Sequence, residues 1–444
     1  LGANSSAAAR ISVRVLVLSR AWVFLCAAAA FLAFGADRSS QARFGAPAIA
    51  DPFGGAGQAL LGIWSRWDSV WYLGVAHHGY GVGEPSAAFF PLLPLLSRAV
   101  AAPIDLVAGR PAAIFLGALA VSLAAFGVAL YFLHRLVAVE LGDRVAMLCV
   151  ALVAFFPMAV FQGAIYSESL FLALSAAAVW FARSDRWAAA GTLAAAAVLT
   201  RSAGIALIVP LALLYLLGPR GQGQAERPYL GAPWRRRGGP RAYPLRRDAL
   251  WIGLAPAALA GFAIYLGFEL GDSLAFAHAQ ADWGRELGHI GSVPAAFAGG
   301  LWQGAVAAGS GLADLVRGRA SAGELLWAPD GGLSLSRAGI NLEAGLFLAF
   351  AVIATIGALR RLPLAYGAYA AAALALALSY PRSAVPGYDV PLFSLPRFLA
   401  VVFPLFIWLA LVVSERGWER PALLVLALLL GLYAAQWGTW QWVS

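Results

Sequence analysis

The chain contains no lysine, two cysteines, two methionines and five histidines, and only 12% of its 444 residues are charged. Soluble domains carry about 25% charged residues, so this sequence has too little polar surface to cover a globule in water. Other shortages narrow the options further. Cys26 and Cys149 both lie inside apolar runs, which excludes a disulfide framework and a thiolate metal site. The net charge of +9 is carried by arginine alone. Those arginines do not gather on one amphipathic stripe, so no nucleic-acid partner is expected.

Apolar residues fill the gap: 61% of the chain is hydrophobic, with a mean hydropathy of +0.76. A bilayer-spanning helix needs about 20 largely apolar residues. Spans are predicted near 13–35, 88–104, 111–133, 145–163, 167–183, 187–217, 248–270, 341–359, 363–380, 396–413 and 421–440. The fold class is therefore an all-α polytopic membrane protein of about eleven transmembrane helices, forming a single domain over residues 1–444. The run near 21–35 lacks a small-x-small cleavage site and is read as a retained first helix. The 187–217 stretch is too long for one straight span, and Thr200-Arg201-Ser202-Ala203-Gly204 interrupts it, so a kinked or broken helix is expected there.

Arginine asymmetry sets the orientation. Segment 218–247 is rich in Arg, Gly and Pro, with Glu226 its one acid before Asp248, and reads as a cytoplasmic loop. Arg10, Arg14, Arg20, Arg360, Arg361, Arg416 and Arg420 fall on the same side. The N-terminus is then cytoplasmic, and long loops 36–87 and 271–340 lie outside with a shorter one at 381–395. The short loops 134–144 and 184–186 also land outside, despite their arginines. Segment 293–312 is read as lying on or dipping into the outer surface. Trp437, Trp440 and Trp442 read as an interfacial aromatic anchor.

The first outer loop holds the densest cluster of chemistry. If helical, Trp64, Trp67 and Trp71 share one face at i, i+3, i+7, as on a helix lying in the membrane interface. Asp68 sits beside that stripe and under Tyr72 at i+4. An acid partly withdrawn from water makes a better general base. The alternative is that Asp68 caps a helix or pairs with Arg66. His77-His78 has no accompanying ligand spacing, and adjacent helical side chains do not converge on one ion, so no metal site is assigned. Pro91 and Pro94 suit the start of the second predicted span.

Ionisable residues in the membrane zone are read as functional by default, because each costs about 2.5–3.5 kcal/mol to insert. Glu168 lies in an apolar stretch between Ser167 and Ser169, where it either serves a site or caps a helix end. Arg201 occupies the break in 187–217, as a functional or ion-pairing group or as a side chain reaching for the interface. His278, Asp282 and Arg285 follow i, i+4, i+7 spacing and would share one helical face. Arg397 opens a span at the outer interface, where a guanidinium suits a phosphate or lipid headgroups generally.

Several blocks occur in order along most of the chain. They are Trp67-Asp68-Ser69-x-Trp71-Tyr72 with His78-Gly79-Tyr80, Ala88-Phe89-Phe90-Pro91-Leu92-Leu93-Pro94, Phe156-Pro157, Tyr166-Ser167-Glu168-Ser169, Thr200-Arg201-x-x-Gly204, Gly271-Asp272-x-Leu274-Ala275-Phe276, Ala279-Gln280-x-x-Trp283-Gly284-Arg285, Pro396-Arg397-Phe398 and Phe403-Pro404-Leu405-Phe406. Together they resemble the PIG-V type mannosyltransferases, membrane glycosyltransferases of the GT-C fold. The resemblance implies an inverting transfer of a mannosyl or other hexosyl residue from a polyprenyl-phosphate-linked donor to a lipid or glycan acceptor at the outer face. Asp68 in the first outer loop would be the catalytic base. Eukaryotic members act in GPI-anchor assembly; the lysine-free composition here looks bacterial, with the plasma membrane as the site of action.

Residue chemistry adds roles to that expectation. Arg201, Arg397 and Arg285 are the candidates for the donor phosphate, where a guanidinium stabilises the charge of the departing group. Trp67, Trp71, Tyr72, Tyr80, Glu168 and Gln280 are the candidates for substrate contact. A lipid phosphate is already activated, so no metal or other cofactor is required; the expected partners are membrane lipids, the donor and the acceptor. The main alternative is a transporter or flippase of a lipid-linked glycan precursor, which would use the interior charges without chemistry. An intramembrane protease built on Gly309-Ser310-Gly311 is disfavoured by the lack of a histidine at matching depth.

Overall fold

The computed structural model describes residues 2–37, 40–41, 47–81, 85–219, 243–283, 337–379 and 394–443, with Leu392 and isolated positions between 298 and 318. Regular structure among them is entirely helical. Among the described residues, five stretches are long and apolar enough to cross a membrane: Ser5–Phe34, Arg110–Leu141, Arg247–Leu270, Gly339–Arg361 and Glu419–Gly438. Shorter apolar helices fill the bundle between them, and the chain is a polytopic helical membrane protein.

In chain order the main helices are α1 (Gly2–Phe34), α2 (Ser69–His78), α3 (Leu92–Ala108), α4 (Arg110–Leu141), α5 (Asp143–Ala154), α6 (Glu168–Arg183) and α7 (Trp187–Val198). They continue as α8 (Ile208–Leu217), α9 (Leu254–Leu270), α10 (Arg337–Arg361), α11 (Leu364–Leu378), α12 (Leu395–Leu399), α13 (Phe403–Arg416) and α14 (Glu419–Gly438). The buried core is mostly Ala, Leu, Val and Phe, and small residues let helices meet closely. A Cβ on Gly438 of α14 would stand 2.5 Å from the Ala27 carbonyl oxygen of α1.

The structure gives detail to two of the predicted spans. Residues 88–104 largely coincide with α3, which packs along the first half of α4, with Gly117 of α4 close against Ser97 and Ala101. The backbone N–H of Leu92 donates to the Leu199 carbonyl, and the Arg110 guanidinium just beyond α3 reaches the His77 carbonyl at 3.4 Å. The start of α3 is thus bonded to the 199–204 break, and the start of α4 to the end of α2. The buried face of α3 holds Leu93, Ser97 and Ala101, while Leu106 and Val107 are almost fully exposed.

The 187–217 stretch is a hairpin, not a single kinked span. α7 ends at Val198, Arg201 is extended, and a 3-10 turn over Ser202–Leu207 starts the return leg into α8. The Trp187 and Tyr215 rings, at the ends of the two legs far from the break, pack 4.7 Å apart. Gly204 permits the reversal: a Cβ there would lie 2.5 Å from the Val198 nitrogen and 2.6 Å from the Ala197 carbonyl carbon.

The short loops 134–144 and 184–186 lie at the end opposite Asp68, not beside the first outer loop. α6 has Glu168 at one end and Arg183 at the other, a rise of about 22 Å at 1.5 Å per residue. At the far end Arg183 pairs with Glu140 at 2.8 Å, and the Tyr366 hydroxyl donates to the same Glu140 oxygen at 2.9 Å. Arg361 and Glu415 form a two-pronged pair nearby in the chain path, and Arg144 pairs with Glu419.

Arg20 does not flank the membrane as expected from its place near the N-terminus. It is buried, donates to the carbonyls of Ala159 at 2.6 Å and Ala154 at 3.2 Å, and lies over the Phe126 ring. It satisfies the Ala154 carbonyl at the end of α5 and the Ala159 carbonyl in the 3-10 turn that begins at Pro157. Trp437 and Trp440 are likewise interior, at 1% and 4% exposure, rather than an interfacial anchor. Most of loop 218–247, most of 284–336 including most of segment 293–312, and residues 380–391 lie outside the described residues.

Candidate active site

The site is assembled around a sharp turn ahead of α2. Residues Gly62–Trp64 form a 3-10 turn, and Trp67 then takes a left-handed backbone conformation (φ 51°), which a bulky residue rarely adopts. The tryptophans therefore do not share one helical face. Trp64 packs inward near Gly163, Trp67 sets its ring against Trp440 and Trp442, and Trp71 stacks on Phe89.

Asp68 occupies the position before α2, but its carboxylate does not cap the helix. Its backbone N–H donates to the Tyr166 hydroxyl at 3.0 Å, and that hydroxyl donates to the Arg66 carbonyl at 3.1 Å. The carboxylate accepts a hydrogen bond from Arg397 Nη1 at 2.6 Å on Oδ2. Arg66 is not its partner. The Arg66 guanidinium donates to the carbonyls of Gly62 and Ser65 and lies over the Trp440 ring, 4.4 Å from its centroid.

Glu168 begins α6, where the helix dipole favours a negative charge. It is fully buried, with Arg201 Nη1 at 2.5 Å and Arg397 Nε at 3.1 Å from Oε1. Arg201 comes from the hairpin break. Arg397 comes from α12, whose start is set by left-handed Ser394 (φ 63°) and Pro396 in the first turn. The rings of Phe161, Tyr166 and Phe398 surround the Arg397 guanidinium at 5.3–5.5 Å. Asp68, Glu168, Arg201 and Arg397 thus form a chain of two carboxylates and two guanidiniums. Formal charges cancel, as a buried ionic group requires.

A cavity of about 300 Å³ opens on this cluster. Asp68, Tyr72, Thr200, Arg201, Gln280, Ser394 and Arg397 give it a polar floor; Phe89, Ile205, Leu259, Phe276, Ala373 and Leu376 give it an apolar wall. The Tyr72 hydroxyl donates to Ser167 Oγ at 2.8 Å, and burial together with the Glu168 charge pushes its pKa up to about 12. It stays a neutral donor at any physiological pH.

Of the sequence-predicted site residues, Asp68, Tyr72, Arg201, Gln280 and Arg397 line this one cavity, and Glu168 lies directly behind the two arginines. Trp67, Trp71 and Tyr80 are not among its lining residues. Tyr80 donates to the Phe89 carbonyl at 2.8 Å and packs against Phe262 and Tyr265. Arg285 lies outside the described residues. The shared face expected for His278, Asp282 and Arg285 is not formed by one helix: a helical turn ends at His278 and a 3-10 turn follows. His278 instead bonds Asp272 at 2.7 Å, which holds that exposed carboxyl below its usual range. No group of His, Cys, Asp or Glu suited to a metal ion occurs among the described residues. Tyr166, Thr200 and Ser394 had no assigned role in the sequence; the first two stood inside quoted blocks, and Ser394 gave no local signal.

A helical membrane bundle with a charged, half-apolar cavity at one end of its helices is what the fold and site define. The sequence profile described as "Mannosyltransferase (PIG-V)" matches residues 12–215, just under half of the chain. Over those residues the chain is similar to the PIG-V mannosyltransferases. The GPI alpha-1,6-mannosyltransferase 2 of Mus musculus is 32% identical over 191 residues, covering 41% of this chain and 38% of that protein. The Cricetulus griseus protein of the same description is 32% identical over 152 residues, 33% of this chain and 31% of its own. The chain thus matches under two fifths of the length of these curated relatives. A solved Archaeoglobus fulgidus oligosaccharyltransferase, bound to an inhibitory peptide and a dolichol-phosphate, aligns over 79% of this chain and 48% of its own, with 12% identity and a TM-score of 0.36.

Proposed function

We propose that this chain is a GT-C type membrane glycosyltransferase. It moves a mannosyl or related hexosyl residue from a polyprenyl-phosphate donor to a lipid or glycan acceptor. The observation that carries this reading is the meeting of Asp68, Arg201 and Arg397 at one cavity, from three distant parts of the chain. Arg397 holds Asp68 by Oδ2, and Oδ1 has no partner among the described residues.

In the proposed step, Asp68 takes the proton of an acceptor hydroxyl as its oxygen attacks the anomeric carbon. The bond from that carbon to the phosphate oxygen breaks, and the electron pair leaves with the polyprenyl phosphate. Attack from the face opposite the leaving group inverts the anomeric centre. Arg201 and Arg397 stabilise the charge gathering on the phosphate, in a site sheltered from water where fixed donors are worth most. Tyr72 and Gln280 are placed to bind sugar hydroxyls, and Leu259, Phe276 and Leu376 face the lipid-like part of the donor.

The orientation follows from where the arginines fall. Arg135, Arg144, Arg183, Arg186, Arg246, Arg360, Arg361, Arg416 and Arg420 flank helix ends opposite Asp68, so that end is cytoplasmic and the cavity opens outside. Moving loops 134–144 and 184–186 to this end removes the anomaly of their arginines. The test is a transfer assay with purified protein in proteoliposomes. Polyprenyl-phosphate mannose should be consumed in the presence of a membrane lipid extract, with the label recovered in a new glycolipid, and GDP-mannose should not serve. Use of GDP-mannose alone, or no transfer from the lipid donor, contradicts the reading.

A further inference from the structure

The strained turn that aims Asp68 is held by the last residues of the chain. A non-glycine residue held in the left-handed region costs on the order of 1–3 kcal/mol and persists only where its surroundings fix it. Trp67 (φ 51°) is such a residue, immediately before Asp68. Its ring meets Trp440 edge-on at 6.0 Å and Trp442 at 5.2 Å. The preceding residue, Arg66, lies over the face of Trp440. Trp437 Nε1–H donates to the carbonyl of Ile63, three residues earlier still, at 2.5 Å.

Trp440 is itself left-handed (φ 63°). Bonds from Trp440 N–H to the Trp437 carbonyl (3.2 Å) and from Gln441 N–H to the Gln436 carbonyl (2.9 Å) hold the end of α14 in this form. Two strained tryptophans thus brace one another, with the Arg66 guanidinium on one of them. Tyr166 closes the turn through its hydroxyl, bonded to both Arg66 and Asp68. Residues 437–442 lie beyond the 12–215 stretch that matches the family.

We propose that the segment Trp437–Trp442 positions the Asp68 carboxylate, acting through the contact of Trp440 with Arg66 and Trp67. The proposal rests on the reading of Asp68 as the base. Trp440 touches neither the cavity nor the carboxylate, so it is a positioning residue, and its loss should slow turnover without weakening donor binding. Misplacing a reacting group by about 1 Å costs on the order of 10²-fold in rate.

The experiment compares Trp440→Ala, Trp440→Phe and wild type in three readouts: kcat and donor KM, thermal unfolding, and the rate of tryptic cleavage after Arg66. Arg66 is 5% exposed, so the bond after it is shielded while the strap is in place. Trp440→Ala should lower kcat by about tenfold or more with donor KM unchanged within about threefold, and should open the Arg66 bond to trypsin. Trp440→Phe, which keeps a ring for the guanidinium, should recover most of both. Unchanged kcat, continued protection of Arg66, or a loss of kcat that merely follows a lost Tm and is not rescued by Phe each overturns the proposal. If wild type transfers no sugar, the functional reading fails, and the trypsin comparison still decides whether the strap holds the turn.

Discussion

Arg397 and Asp68 stand 329 positions apart in the chain and 2.6 Å apart across the cavity. The same guanidinium lies 3.1 Å from Glu168, which also pairs with Arg201. One buried carboxylate therefore holds two arginines at the cavity wall, and one of those arginines holds the proposed base.

The arginines should act on the donor. Hydrogen bonds to charged groups contribute about 1.5–3 kcal/mol, so Arg201→Ala and Arg397→Ala should each weaken donor use by roughly 10- to 150-fold in kcat/KM at saturating acceptor. Acceptor KM should move much less. Titrating donor and acceptor separately checks this; normal donor use in both variants removes the arginines from the phosphate site.

Glu168 should matter for folding as well as activity. Glu168→Gln leaves two guanidiniums without the carboxylate between them, and breaking a buried ion pair from one side costs about 3–5 kcal/mol. Thermal unfolding in detergent should fall clearly, and the double variant Glu168→Gln with Arg201→Gln should recover part of the loss. Independent, additive effects would show that the pair contributes little.

Gly204→Ala tests the hairpin that delivers Arg201. The added methyl would stand 2.5 Å from the Val198 nitrogen and 2.6 Å from a second backbone atom, neither of which can yield like a flexible side chain. The turn must shift, so kcat/KM for the donor should fall with the retained protein still folded. Gly261, whose Cβ position is open, serves as the control: Gly261→Ala should be close to neutral.

The membrane bundle, the break at Thr200–Gly204 and the candidacy of Asp68, Arg201 and Arg397 were legible in the sequence; that the three meet at one cavity was not. Costly charges in apolar surroundings mark themselves, and so does a helix interrupted by Arg-x-x-Gly. What was not legible has physical reasons. A break does not say whether the chain continues or turns back; here the Trp187–Tyr215 contact shows that it turns back. The three-tryptophan face failed because Trp67 leaves helical geometry, and no local rule places a tryptophan in a left-handed turn. Its reason is tertiary, in Trp440 and Tyr166.

The most direct measurement is the transfer rate of Asp68→Asn with polyprenyl-phosphate mannose, in protein shown to fold by its unfolding temperature and to bind polyprenyl phosphate. Asparagine keeps the shape and an acceptor for Arg397 but cannot take a proton. General base catalysis contributes about 10²–10⁴-fold, so kcat should drop by at least the lower figure while lipid-phosphate binding persists. Wild-type turnover in Asp68→Asn would contradict the account at its centre.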